Sequence, residues 1–198
     1  MKHYFNPISR GVTTAWMFAE LDVEHEDIVI NLRGTEQERL AYRAVNPMGK
    51  VPALVDGDVV VTETAAICAY LADRFPERGL APEPGSRERG AYYRYLFVPG
   101  TTLEPVFSLA ALDFEHPAPQ SAGWGDVTRA LATIETMTPE NDWALGERFT
   151  AADVVFGGTL DSLVALSGLK PSPRVAAYVE RLRSRPAYQK THGGFGTT

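Results

Sequence analysis

Residues 46–67 read NPMGKVPALVDGDVVVTETAAI, and the fold turns on this stretch. Val51 to Val55 and Val59 to Thr62 are apolar runs of strand length, and Asp56-Gly57-Asp58 between them carries an Asp-Gly pair suited to the positive φ of a tight turn. Together they predict an antiparallel hairpin. After Thr62-Glu63-Thr64 the period changes, because Ala66, Ile67, Tyr70 and Leu71 fall at helical intervals until Pro76 stops them. Working upstream, Leu32 to Val45 predicts a short helix ended by Asn46-Pro47, since the residue before proline is biased away from the helical region. Ile28 to Ile30 is a β-branched run too brief for a helix and predicts a strand. Val12, Ala15, Trp16 and Ala19 share one face of a helix running from about Ser9 to Leu21, and Lys2 to Phe5 forms a first strand that Asn6-Pro7 terminates. A connection of this length makes the first two strands parallel. The order is β-α-β-α-β-β-α.

Downstream, residues 76–85 cluster proline and glycine as a linker does, and strand signals end there. Tyr92, Leu96, Leu103, Phe107 and Ala110 predict one long helix that Pro99 and Pro105 can kink. Val127, Leu131 and Ile134 predict another, after a proline-rich loop around Pro117 to Gly125. Thr150 and Asp153 form a capping-box pattern ahead of an apolar run. Ser172-Pro173 opens a last helix whose Val175, Tyr178, Val179 and Leu182 share a face, with Pro186 at its end and a loose tail at residues 193–198. The expected organisation is therefore residues 1–75, a linker at 76–85, and an all-helical domain at 86–198.

Composition narrows the function classes. The chain has 198 residues with 44% hydrophobic and 22% charged side chains, ordinary globular usage, and folding such a length buries roughly 70% of its unfolded surface. Net charge −6 repels phosphate backbones and anionic membranes, so neither nucleic acid nor a membrane is an expected partner. A single cysteine, Cys68, excludes an internal disulfide and reads as a buried small hydrophobe. Four scattered histidines do not match zinc-ligand spacing, so no metal is expected. With no apolar run near ~20 residues and no leader pattern, a cytoplasmic location is expected.

The β-α-β-α-β-β-α order is thioredoxin-like, although the redox Cys-x-x-Cys that would open helix one is absent. Four motifs carry a resemblance: Asn-Pro-Ile-Ser-Arg at 6–10, Asn-Pro-Met-Gly-Lys-Val-Pro-Ala-Leu at 46–54, Thr-Glu-Thr-Ala-Ala-Ile at 62–67 and Phe-Thr-Ala-Ala-Asp at 149–153. In this order and spacing the chain resembles the cytosolic glutathione transferases over nearly its whole length. The resemblance implies a thioredoxin-like amino domain followed by an all-helical carboxyl domain, a homodimer, and a detoxifying attack of glutathione thiolate on a small apolar electrophile.

Ser9, at the expected start of helix one, matches the position where serine-type members hydrogen-bond the glutathione sulfur; taken alone it reads as a helix cap. Arg10 stands where beta-class members hold a cysteine, and adds positive potential near the sulfur or points to solvent. Tyr4 is a rival for sulfur activation that reads better as a packed strand residue. Val51-Pro52 matches the family's cis-proline, whose preceding residue pairs its backbone with the cysteinyl part of glutathione. Glu63 and Thr64 match the pair that holds the γ-glutamyl end, and Lys50, or more weakly Arg33, would reach the glycyl carboxylate. Tyr92, Tyr93, Tyr95, Phe97 and Phe107 are divided between an electrophile pocket, core and dimer contact. Two rivals share these residues: a glutathione-dependent peroxidase or disulfide reductase, and a non-catalytic module that keeps the pocket.

Overall fold

The computed structural model describes residues 1–114, 116–118, 120–166 and 169–192; the expected tail at 193–198 lies outside them. The chain forms two compact units, Met1–Arg78 with the segment from Arg185 onward, and Gly79–Ser184.

The first unit runs β1 (Lys2–Phe5), α1 (Gly11–Leu21), β2 (Glu26–Val29), α2 (Glu36–Arg43), β3 (Ala53–Asp56), β4 (Val59–Thr62) and α3 (Thr64–Arg74). The sheet order is β2-β1-β3-β4, with β1 parallel to β2 and antiparallel to β3, and β3 antiparallel to β4. This is the expected thioredoxin-like arrangement. Asp56 pairs with Val59, leaving a two-residue turn in which Gly57 sits at φ +62, the conformation that only glycine adopts without strain. β2 begins two residues earlier than its β-branched run suggests, because Lys2–Phe5 register against Glu26–Val29 and Ile30 N–H then donates to Phe5 C=O as the strand ends. α2 is shorter than expected; Thr35 and Glu38 cap it reciprocally, Thr35 N–H donating to the Glu38 carboxylate at 2.7 Å.

The apolar face of α1 differs from the one read at Val12, Ala15, Trp16 and Ala19. Trp16, Met17, Phe18 and Leu21 are buried while the other three are half-buried, because the helix is covered on more than one side. The extra cover is α9 (Pro186–His192), whose Tyr188 meets Trp16 edge-on at 5.1 Å, while the Arg185 guanidinium donates twice to Glu20 at 2.7 Å. The segment from Arg185 onward, expected with the helical domain, thus belongs to the first unit.

The second unit is helical: α4 (Glu88–Val98), a π-turn at Pro99–Leu103, α5 (Glu104–Ala110), α6 (Val127–Met137), a π-turn at Asp153–Gly157 leading into α7 (Gly158–Leu166), and α8 (Pro173–Arg183). The kink expected at Pro99 is that first π-turn, where the missing proline amide breaks the regular ladder. α6 buries Ala130, Ile134 and Met137, whereas Val127 and Leu131 of the expected face are exposed. α8 starts at Ser172, whose hydroxyl accepts from Val175 N–H, and buries the expected Val175, Tyr178, Val179 and Leu182. Leu182 fills the place where a side chain at Gly157 would lie: a Cβ there would collide with the leucine Cδ1. No helix among the described residues is long and apolar enough to cross a membrane.

Candidate functional site

Strand register decides what lies together. Ile28, Tyr4, Ala53 and Thr62 pair successively across the four strands, so they form one row over the sheet. Beyond that row, at the same end of the sheet, lie the β1–α1 loop with Ser9 and Arg10, the Lys50-Val51-Pro52 segment before β3, and the Glu63-Thr64 junction after β4. Every predicted site residue therefore leaves the sheet at one end, although they span 56 positions of sequence from Ser9 to Thr64.

Three asparagines shape that end, and none was singled out from sequence as a positioning residue. Asn6, Asn31 and Asn46 each accept, through Oδ1, the amide two residues on, from Ile8, Arg33 and Met48 at 3.0 to 3.1 Å. Asn6 also donates to Ile30 C=O at 2.8 Å, tying the Ser9 loop to the end of β2. Asn46 and the Tyr42 hydroxyl both donate to Lys50 C=O at 2.7 Å and so hold the main chain ahead of Val51. Burial pushes the Tyr42 phenol up to about 12, further from ionisation than an ordinary tyrosine. The Asn-Pro pairs at 6–7 and 46–47 were the available signal.

Val51-Pro52 is a cis peptide. Pro52 is buried, and Val51 precedes β3, so its N–H and C=O stand outside the ladder. Lys50 is exposed, and its ammonium makes no ion pair with described residues. Glu63 is exposed at φ +70, a left-handed conformation costly for a side chain of its size. No side chain caps α3, and its first internal bond is Ile67 N–H to Glu63 C=O, so the amides of Thr64, Ala65 and Ala66 precede the ladder. The Thr64 hydroxyl has no partner among described residues. Unsatisfied donors and the positive end of the helix dipole make this terminus receptive to a carboxylate.

Ser9 differs. Its hydroxyl donates to Asn6 C=O at 2.7 Å and accepts from Gly11 N–H at 3.0 Å, and α1 itself begins two residues later than expected. Arg10 occupies the cap position without a capping side-chain bond. Its charge reaches Cys68 in α3 and favours the thiolate, but complete burial outweighs it and drives that thiol far up. Tyr4 packs against Tyr42, ring centroids 5.9 Å apart. Arg33 is exposed on the loop after β2.

A groove of about 540 Å³ opens beside Lys50, lined among others by Tyr4, Arg39, Tyr42, Arg43 and Met48; Ser9, Pro52 and Thr64 are not part of it. A second, of about 470 Å³, lies within the helical unit between the end of α5 and the start of α6. Of the aromatic group, Tyr92 is core, Tyr95 donates to Met137 C=O at 2.8 Å, and Tyr93 and Phe97 are exposed on α4.

A thioredoxin-like unit with an anion-receptive sheet end, continued by an all-helical unit, defines the architecture of a glutathione transferase. Residues 2–73 match the family model for the glutathione S-transferase N-terminal domain, and residues 103–181 that for the C-terminal domain. Glutathione S-transferase 3 of Zea mays is 29% identical over 206 residues, covering 96% of this chain and 92% of its own. Maleylacetoacetate isomerase of Pseudomonas aeruginosa is 28% identical over 201 residues, covering 96% and 93%. The solved structure of a sphingomonad glutathione S-transferase complexed with glutathione superposes with a TM-score of 0.81 at 29% identity, over all of both chains. The protein belongs to the cytosolic glutathione transferase family and is an enzyme of that class.

Proposed function

We propose that this enzyme binds glutathione at the sheet end described above and conjugates its thiolate to a small apolar electrophile, acting as a cytoplasmic homodimer with residues 86–184 supplying the electrophile pocket. The observation that carries the reading is the start of α3, where the Thr64 hydroxyl and three leading amides are without partners among the described residues, at the same end of the sheet as Val51-Pro52. In this reading Thr64 and the helix terminus hold the γ-glutamyl carboxylate, Glu63 takes the ammonium, and Val51 pairs its N–H and C=O with the cysteinyl backbone. Lys50, which makes no ion pair among the described residues, reaches the glycyl carboxylate.

The sulfur is the remaining problem. A free thiol with pKa near 8.5 is only a few per cent ionised at pH 7, so the site must favour the anion. Ser9 does this by turning its hydroxyl from Asn6 C=O to the thiolate. The exchange gives up a neutral hydrogen bond worth about 0.5–1.5 kcal/mol for a charge-assisted one worth about 1.5–3, a net gain near 1 kcal/mol, or under about one pKa unit. Arg10 adds long-range positive potential.

Ser9→Ala tests the step. The pKa of bound glutathione, followed by ultraviolet absorption of the thiolate, is expected to rise by about 0.5–1 unit, with turnover reduced most near neutral pH and least at high pH. An unshifted titration with unaltered turnover would make Ser9 a loop residue only. The isomerase relative favours a second reading, in which the thiolate adds to an activated double bond and leaves again. Conjugation consumes one glutathione per product, whereas isomerisation leaves its concentration unchanged, so thiol titration during turnover separates the two.

A further inference from the structure

A second constellation lies on the α1 face of the sheet, away from the loops of the glutathione site. His3 of β1 registers directly against Asp27 of β2, and His25, two residues before Asp27, projects to the same side by strand alternation. His3 Nδ1 lies 2.8 Å from Asp27 Oδ1, and His25 Nε2 lies 3.3 Å from that same oxygen. The donor atoms of all three side chains fall within 4.8 Å of one another.

The outer hydrogen bonds specify what these atoms present. His25 Nδ1 is 2.9 Å from Val23 C=O, an acceptor only, so this nitrogen carries the ring proton and Nε2 of the neutral ring is bare. His3 Nε2 is 2.8 Å from the Thr14 hydroxyl, which donates its single proton to Gly11 C=O at 2.9 Å. His3 therefore donates from Nε2, and its Nδ1 is bare in the neutral ring. Two lone pairs thus converge on one carboxylate oxygen, an arrangement that calls for a positive charge between them.

We propose that His3 Nδ1, His25 Nε2 and Asp27 Oδ1 bind a divalent cation of the zinc class, with water completing the coordination. Two imidazoles and one carboxylate suit zinc, cobalt or nickel and not calcium or magnesium, which prefer all-oxygen sites. Tetrahedral zinc with bonds near 2.0–2.2 Å separates its ligands by about 3.3 Å, the spacing already present between His25 and Asp27. The His3–Asp27 separation opens to that value by rotation of Asp27, a side chain 46% exposed. Both rings are held in place by stacking, His3 on Phe5 with centroids 4.7 Å apart and His25 on Phe18 at 3.9 Å. Ring protons committed to a carbonyl and a hydroxyl are the outer-shell pattern that orients metal-binding histidines. The ion would pin the start of β2 to β1. Spacing along the chain hides the site, because the ligands meet through strand register.

The test is titration of the untagged, chelator-treated protein with Zn2+ and with Co2+, without glutathione, whose thiol competes for the ion. One equivalent per chain is expected, with a raised melting temperature and visible cobalt absorption of a tetrahedral site lacking thiolate charge transfer. His25→Ala and Asp27→Asn change exposed or partly exposed side chains and are each expected to weaken binding more than about tenfold, with the circular dichroism of the apo protein unchanged. His116→Ala is expected to bind as wild type does. The proposal is overturned by an absence of saturable binding, by binding that both variants leave intact, or by loss in His116→Ala.

Discussion

Two helices open on a pair of one hydroxyl and one carboxylate, and the pairs have opposite fates. At Thr150-Ala-Ala-Asp153 the carboxylate is completely buried and accepts from Ala144 N–H at 2.7 Å, Tyr178 hydroxyl at 2.8 Å, Thr150 N–H at 2.9 Å and, at 3.4 Å, the Thr150 hydroxyl. At Glu63-Thr64 the carboxylate is exposed, and among the described residues the threonine hydroxyl has no partner and no side chain caps the leading amides. The same physics of helix termini operates in both, so the difference lies in saturation: a terminus whose donors are all used holds a fold together, and one whose donors are unused can hold a ligand.

The strongest way to break this contrast is Asp153→Ala. It strands two amides and the Tyr178 hydroxyl in a buried site, and the expected loss is about 3–5 kcal/mol, beyond the roughly 0.5–2 kcal/mol of an ordinary exposed cap. Denaturant titration reads the loss, and turnover per folded molecule should be unchanged; collapsed turnover at full stability would move Asp153 into the active site.

A pH series sharpens the same side of the contrast. Burial, the largest influence, pushes the Asp153 carboxyl up to about 6, against the four hydrogen bonds that favour its ionised form. The folded state then holds a proton that the unfolded state has released, so stability contributed by this group falls as pH rises from about 4 to about 6 and is level above. Over two units the fall is up to about 3 kcal/mol. Unfolding midpoints of wild type relative to Asp153→Asn should show that slope, and a wild-type advantage growing with pH would reverse its sign.

Thr64→Ala probes the open terminus and carries the smallest effect. Glutathione affinity is expected to fall by about 1.5–3 kcal/mol for loss of one charge-assisted bond, with stability unchanged within about 0.5 kcal/mol. Calorimetric titration beside a thermal melt decides; lost stability with retained affinity would make α3 resemble the Asp153 cap after all.

Sequence patterning revealed the elements whose signals are local. The Asp-Gly hairpin, the Ser172-Pro173 start with its four buried positions, and the proline-broken α4–α5 helix all stand where residue spacing puts them. What long-range packing decides was not legible. The buried sides of α1 depend on Tyr188, at the far end of the chain, and α6 buries Ala130 while Val127 is exposed. At the site, the motif residues are gathered at one sheet end by the register of Tyr4, Ala53 and Thr62. The commitment of the Ser9 proton to Asn6 C=O emerges only from the loop's three-dimensional course.

The sealed thiol of Cys68 has a practical corollary. It is the chain's single sulfhydryl, completely enclosed in α3 four residues beyond Thr64. An alkylating reagent reaches it only when that helix comes away from its neighbours, so capture of Cys68 acts as a clock for the opening of α3. Ligand seated at Thr64 would slow the clock.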